Sequence, residues 1–205
     1  MFFLERKEKL FDENDMKNLL MIILFAWLAC PALSQVKYTP YYENRYPLSE
    51  EIREDIMSKG KWTDDIKTSL VNFLEDYQAA FMNKSVDFIE RTFDPANFSI
   101  RTKDDVGVVY KETQSQEYMQ RYKRCCMEGD LSSFSLSDPD FKMARPKGEC
   151  YVLMHFKQEY STQHYNEDVY VYFVLDFNSD KMKICLAGMN SDKDKLIDFS
   201  YIRFQ

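Results

Sequence analysis

At Gly129 the chain changes its apolar period, and that change limits the fold more than any other feature. Before it, Trp62, Ile66, Leu70, Phe73, Leu74, Tyr77, Ala80 and Phe81 recur at steps of three and four, laying one apolar stripe along a helix. After it, apolar residues alternate, as they do in strands that bury one face. Helices first and an antiparallel sheet afterwards predict an α+β domain with segregated layers.

Local signals place the elements. Ser49 precedes a short helix carrying Ile52 and Ile56 and ended by Gly60, and is read as its cap. Thr63 is read as the N-cap of the long helix, with Asp64 and Asp65 at the positive end of its dipole. Ser85 to Phe93 predicts a shorter helix, closed by Asp94-Pro95. Short strands are expected at Phe98–Thr102 and Val106–Tyr110. Thr113 and Gln116 then match a capping box for a helix that buries Tyr118, Tyr122, Cys125 and Cys126. Longer strands are expected near Leu131–Ala144, Cys150–Glu159, Val169–Asn178 and Met182–Met189. The tyrosine- and proline-rich Gln35–Pro47 has no period and reads as an extended lead-in to the short helix, together filling 35–60.

The N-terminus carries an address. From Met16, "MKNLLMIILFAWLACPALSQ" offers Lys17, an apolar run from Leu19 to Ala29, the helix breaker Pro31, and small residues before Gln35. That is the layout of a secretory signal peptide over 16–34, cleaved near Ser34. The run is about half of the ~20 residues a membrane span requires, so no permanent span is expected in the mature chain. Residues 1–15 are charged and read as an over-extended start; lipoprotein processing at Cys30 is the alternative. Removing Met1–Ser34 takes four basic residues from 27 and five acidic ones from 34, leaving 23 against 29, net −6. That surplus of acid excludes nucleic acid as a partner, since phosphate contacts need a basic face. No C-x-x-C or Cys/His spacing points to a metal, and no glycine loop to a phosphate cofactor.

The stretch "WTDDIKTSLVNFLEDYQAAFMNKSVDFIERTFDPANFSI" resembles the opening of nuclear transport factor 2-like (SnoaL-like) domains. Its long helix, the short helix at "NKSVDFIERTF", the "DPA" turn and the strand at "FSI" follow that family's order. "YVLMHFKQEYSTQHYNEDVYVYFVLDF" is similar to the two long strands of exported bacterial members. The resemblance runs from Trp62 to Met189, and 61–205 reads as one domain. It implies a cystatin-like cone: N-terminal helices packed on a curved antiparallel sheet. The family hosts isomerases, dehydratases and polyketide cyclases beside non-catalytic binding and dimerising modules, so fold alone does not choose among them.

Strand phase sorts the chemistry of that second stretch. Matching the apolar residues pairs Val152 with Leu175, Met154 with Phe173 and Phe156 with Val171 on an inner face. A turn at Ser179-Asp180 sets Phe177 against Met182, Leu175 against Ile184 and Phe173 against Leu186. The outer face then carries Leu153, His155, Tyr172, Val174, Cys185 and Ala187. In the resembling fold this surface commonly packs on a second copy, which implies a homodimer through these six residues. Asp176 and Lys183 are expected to pair across strands, and the cysteines to be mostly buried thiols. His164 falls in the polar connection "YSTQHYNED", with no second ligand-bearing motif to make it a metal site.

The family pocket would open at the mouth of the cone, lined by Tyr77, Phe81, Phe93, Tyr122, Met154, Phe156 and Phe173. An acid–base enzyme needs an ionisable group there, yet the inward positions of the long strands are hydrocarbon or sulfur. The expectation is a non-catalytic module without cofactor or catalytic residue, binding a small apolar ligand or a protein partner. A cofactor-free lyase or isomerase of the ketosteroid isomerase or polyketide cyclase type is the alternative.

Overall fold

The computed structural model describes residues 38–94, 99–101, 108–110, 112–127, 131–161, 166–178, 182–196 and 202–203. The chain divides into two units, Met1–Gln35 and Val36–Gln205, and every described residue belongs to the second. The leader, the His164 connection and the Ser179-Asp180 turn lie outside the described residues. Among those described, no helix is long and apolar enough to cross a membrane.

The first helix, α1 (Glu50–Ser58), buries Ile52 and Ile56 as their spacing predicts. Ser49 holds the N-cap position without a side-chain bond; its carbonyl accepts from the Arg53 amide instead. The long helix α2 (Asp64–Met82) is capped as expected, the Ile66 amide donating to Thr63 Oγ1 at 3.4 Å. At its far end the Ser85 amide bonds to the Ala80 carbonyl and the Lys84 amide to that of Phe81, a Schellman closure. Lys84 is left at φ 54°, a conformation that glycine reaches without steric cost. Lys84→Gly is therefore expected to raise stability by about 0.5–1 kcal/mol, read as a small increase in Tm.

Helix α3 (Asp87–Thr92) is shorter than predicted and is followed by strands β1 (Ser99–Arg101) and β2 (Val108–Tyr110). Helix α4 (Glu112–Met127) begins before Thr113, which therefore lies inside the helix rather than capping it. Four long strands complete the main layer: β3 (Ser133–Ala144), β4 (Tyr151–Ser161), β5 (Asn166–Asp176) and β6 (Lys183–Asn190). They form an antiparallel sheet in the order β3-β4-β5-β6, while β1 joins β2 and the short β7 (Ile202–Arg203) in a second sheet. The result is α+β, with the helices on a curved sheet.

Two irregularities bend that sheet. In β3 the register shifts between Ser137 and Asp140, where Asp138 has φ 49° and Pro139 sits on an edge strand with no amide to lose. In β6 the register shifts between Leu175 and Val174, which face Ile184 and Leu186 and leave Cys185 unpaired. The β4–β5 register follows the sequence reading, with Val152 facing Leu175, Met154 facing Phe173 and Phe156 facing Val171. The bulge corrects the β5–β6 pairing. Phe173 faces Ala187 rather than Leu186, and Tyr172 faces Gly188 rather than Ala187. Period-two phase cannot see an inserted residue, so every side chain beyond it changes face.

Candidate functional site

Helix α2 lays its stripe into the cone, and Tyr77 lies at the centre. Its ring meets Phe73, Phe81, Tyr122, Phe134, Phe156 and Phe173 at centroid distances of 5.1 to 6.5 Å. Phe81 packs against Tyr122 at 4.7 Å, Phe156 against Phe173 at 5.5 Å, and Met154 is fully buried in the same core. Six of the seven predicted lining residues thus pack side chain on side chain. The seventh, Phe93, is half-buried at the edge of that core, its backbone bridging Ile184.

Inside this aromatic shell sits a polar trio. The Tyr77 hydroxyl donates to Gln158 Oε1 at 2.7 Å and shares a 2.6 Å bond with the Tyr118 hydroxyl. Burial, with Tyr118 beside it, pushes the Tyr77 phenol well above its ordinary range, so it stays protonated at any physiological pH. It is no general base. Tyr122 completes the pattern by donating to the Ser85 carbonyl at 2.7 Å. Among the described residues, the buried carboxylates Glu75 and Asp76 serve the other side of α2, and His155 lies on the outer sheet face. No buried carboxylate or imidazole among the described residues faces the cone.

At its rim Tyr160 bonds to Glu167, which pairs with Arg121, while Cys125 lies 3.6 Å from the Tyr160 hydroxyl. Burial raises the Tyr160 phenol to about 12. Ser115 of α4 accepts from the Ala187 amide at 3.1 Å and donates to its carbonyl at 3.3 Å, covering backbone groups that edge strand β6 leaves open.

The outer face departs most from expectation. Leu153, Tyr172, Val174 and Cys185 are buried within the chain itself, joined by Leu186, with Ile202 and the half-buried Leu196 packed on them. His155 is 7% exposed and meets the Tyr172 ring edge-on at 6.4 Å. Ala187 faces the inner core, moved there by the bulge. Of the six residues expected at an interface, Leu153, His155, Tyr172, Val174 and Cys185 share the outer face, where Leu196 and Ile202 join the apolar cluster, and Ala187 packs in the inner one. Cys150 lies in the inner cluster and Cys185 in the outer, both as free thiols, as their phases predict. Asp176 and Lys183 are register partners, but Lys183 Nζ donates to the Arg91 carbonyl at 2.7 Å.

Gly188 fits this face closely. A Cβ there would stand 2.4 Å from the Tyr172 hydroxyl and 2.5 Å from its ring, so the tyrosine lies over the glycine. Gly188→Ala is expected to cost about 1–3 kcal/mol, because the Tyr172 ring that must shift is itself buried in the outer apolar cluster. Urea unfolding would read the loss, and a Tyr172→Ala background should relieve the clash.

The lead-in is built onto the back of α2. Asp76, fully buried, accepts from the Tyr38 hydroxyl at 2.8 Å and from the Tyr41 and Tyr42 amides at 2.6 and 3.3 Å. Burial and this carboxylate push the Tyr38 phenol well above its ordinary range. Arg45 donates to Asn72 at 2.6 Å and pairs with Glu75 at 3.2 Å, while Arg53 holds the same carboxylate at 2.6 Å. Gln78 Nε2 bonds to the Tyr46 carbonyl at 3.2 Å. So pinned, Tyr41–Tyr46 and Asn83, at the end of α2, enclose an open cleft of about 600 Å³.

Neither the trio nor the cleft was assembled from the sequence. Gln158 follows Val152, Met154 and Phe156 in the buried phase of β4, and a polar residue in that phase was the available signal. Asp76 gave none, because next to Glu75 and Gln78 it reads as the wet side of a helix.

The element order and layering, helices against an antiparallel sheet of order β3-β4-β5-β6, are those that the resemblance read in the sequence implies. No family model matches the chain, and no curated protein matches it. Among solved structures, it is similar to the helical cell shape determining protein Pgp2 from Campylobacter jejuni, with TM-score 0.43 and 18% identity over 62% of this chain. The match takes in 42% of Pgp2, so this chain spans less than half of that protein. The beta subunit of benzoate 1,2-dioxygenase from Burkholderia mallei is similar with TM-score 0.42 and 17% identity, over 69% of this chain and 99% of that one. A designed nuclear transport factor 2-like protein gives TM-score 0.36 and 15% identity, over 62% of this chain and 98% of its own.

Proposed function

We propose that the domain is an exported, non-catalytic binding module whose cone is structural and whose recognition surface lies outside it. The observation that carries this reading is the closure of the Tyr77–Tyr118–Gln158 trio inside packed aromatic rings. A lyase or isomerase of this fold needs an ionisable group against substrate, and the described inner face offers only phenols and an amide that bond to one another. The small apolar ligand expected in the cone would have to displace those rings, so a protein partner or a ligand on the outer surface fits better. Export rests on the leader beginning at Met16, with cleavage expected near Ser34.

The homodimer expected through the outer sheet face enters in altered form. With Leu196 and Ile202 seated there, the protein is expected to sediment as a monomer. Ile202→Asp, which uncovers Leu153, Tyr172 and Val174, should produce concentration-dependent association. A wild-type dimer that buries those three residues would contradict this.

Catalysis is tested by following deuterium exchange beside carbonyls, and dehydration of β-hydroxy carbonyl compounds, with the purified protein. No turnover above buffer is expected. Turnover that Tyr77→Phe abolishes would overturn the non-catalytic reading.

A further inference from the structure

The cleft beside the lead-in has a definite chemistry. Two of the three exposed large apolar side chains among the described residues, Tyr41 and Tyr46 at 36% and 43%, belong to it. Asn44 and Asn83 add two exposed amides, each able to donate and accept. Its charges are largely answered from within. Glu75 pairs with Arg45 from behind, and the Arg91 guanidinium stands 5.2 Å from the Tyr41 ring, where a ligand cation would otherwise sit. An anion would meet Glu43, and a cation would meet Arg91 and Arg45.

The walls are also preorganised. Asp76 fixes the Tyr41 and Tyr42 amides, Gln78 fixes the Tyr46 carbonyl, and Tyr41 packs edge-on against Tyr42 at 4.7 Å and Phe88 at 5.9 Å. A site held in this way loses little entropy on binding. Its volume lies within the ~300–1,000 Å³ typical of small-ligand sites.

The exposed Tyr46 ring beside two forked amides, with Glu43 and Arg45 balanced in charge, suits a ligand with an apolar C–H face and a rim of hydroxyls. We infer that the cleft formed by Tyr41, Asn44, Tyr46 and Asn83 binds a neutral carbohydrate. A sugar ring stacks on Tyr46, and its vicinal hydroxyls bond to the two amides. This deepens the binding-module reading and rests on it.

The test is amide chemical-shift mapping on the purified, ¹⁵N-labelled protein. The probes are maltotriose, cellotriose and xylotriose, with a trigalacturonate and a Tyr-Pro-containing peptide as controls. Saturable shifts at Tyr41–Tyr46 and Asn83 with at least one neutral trisaccharide are expected, and the acidic trimer should bind more weakly. Tyr46→Ala and Asn83→Ala should each weaken binding by about tenfold with Tm unchanged. Three results would overturn the proposal: no saturable shift with any neutral sugar, shifts confined to other surfaces, or affinity unaffected by both variants. Peptide binding at the same amides without sugar binding also overturns it, yet leaves a binding module. Turnover in the cone would instead remove the reading beneath it.

Discussion

Asp76→Ala is expected to destabilise the domain by about 3 kcal/mol or more, a fall of roughly 6–12 °C in Tm for a chain of this size. The carboxylate is completely buried, and its removal leaves the Tyr38 hydroxyl and the Tyr41 and Tyr42 amides without their acceptor. Orphaned buried donors cost more than the net worth of the bonds they made, because desolvation is no longer offset. Asp76→Asn retains one acceptor oxygen but turns an NH₂ toward backbone donors, so an intermediate loss is expected. The loss should also have a place: proteolysis should become faster within Tyr38–Pro47, and hydrogen exchange faster at the Tyr41 and Tyr42 amides. Uniform loosening of the whole domain would contradict the role assigned to Asp76.

Tyr77→Ala is expected to be at least as damaging. It removes the ring that six other aromatic residues surround, and cavities of that kind cost about 3–5 kcal/mol. Tyr77→Phe separates packing from polarity. It keeps the ring, removes the donor to Gln158 Oε1 and the bond shared with the Tyr118 hydroxyl, and is expected to cost about 1–3 kcal/mol. A double variant, Tyr77→Phe with Gln158→Leu, should recover part of that loss, since an apolar pair is less costly than a half-satisfied polar one. Equilibrium unfolding of the three proteins checks the order. If Tyr77→Phe is neutral, the trio does not hold the core together.

These two residues show what the sequence conveys and what it withholds. The helical stripe placed Tyr77 in the core, and period-two phase set the β4–β5 register residue by residue, because each depends on a single regular period. The β5–β6 pairing failed at Cys185, where one extra residue moved Leu186 outward and Ala187 inward without altering the run of apolar letters. The outer face had the composition of an interface, and an apolar surface looks the same whether a second copy or Ile202 covers it. Asp76 was hidden for a different reason. A buried carboxylate on the second face of a helix is set by partners some 35 residues earlier, and those partners lie in a segment without any period. The cleft depends on that same anchoring, so the candidate site was less legible than the fold.

The closed cone is tested most directly by the methyl resonance of Met154, buried in the inner core, during titration with apolar ligands such as indole and naphthalene. A closed aromatic core predicts that the resonance stays in place up to the solubility limit of each ligand. A saturable shift that is lost in a Phe156→Trp variant, made to fill any residual space, would show a working pocket in the cone and contradict the account.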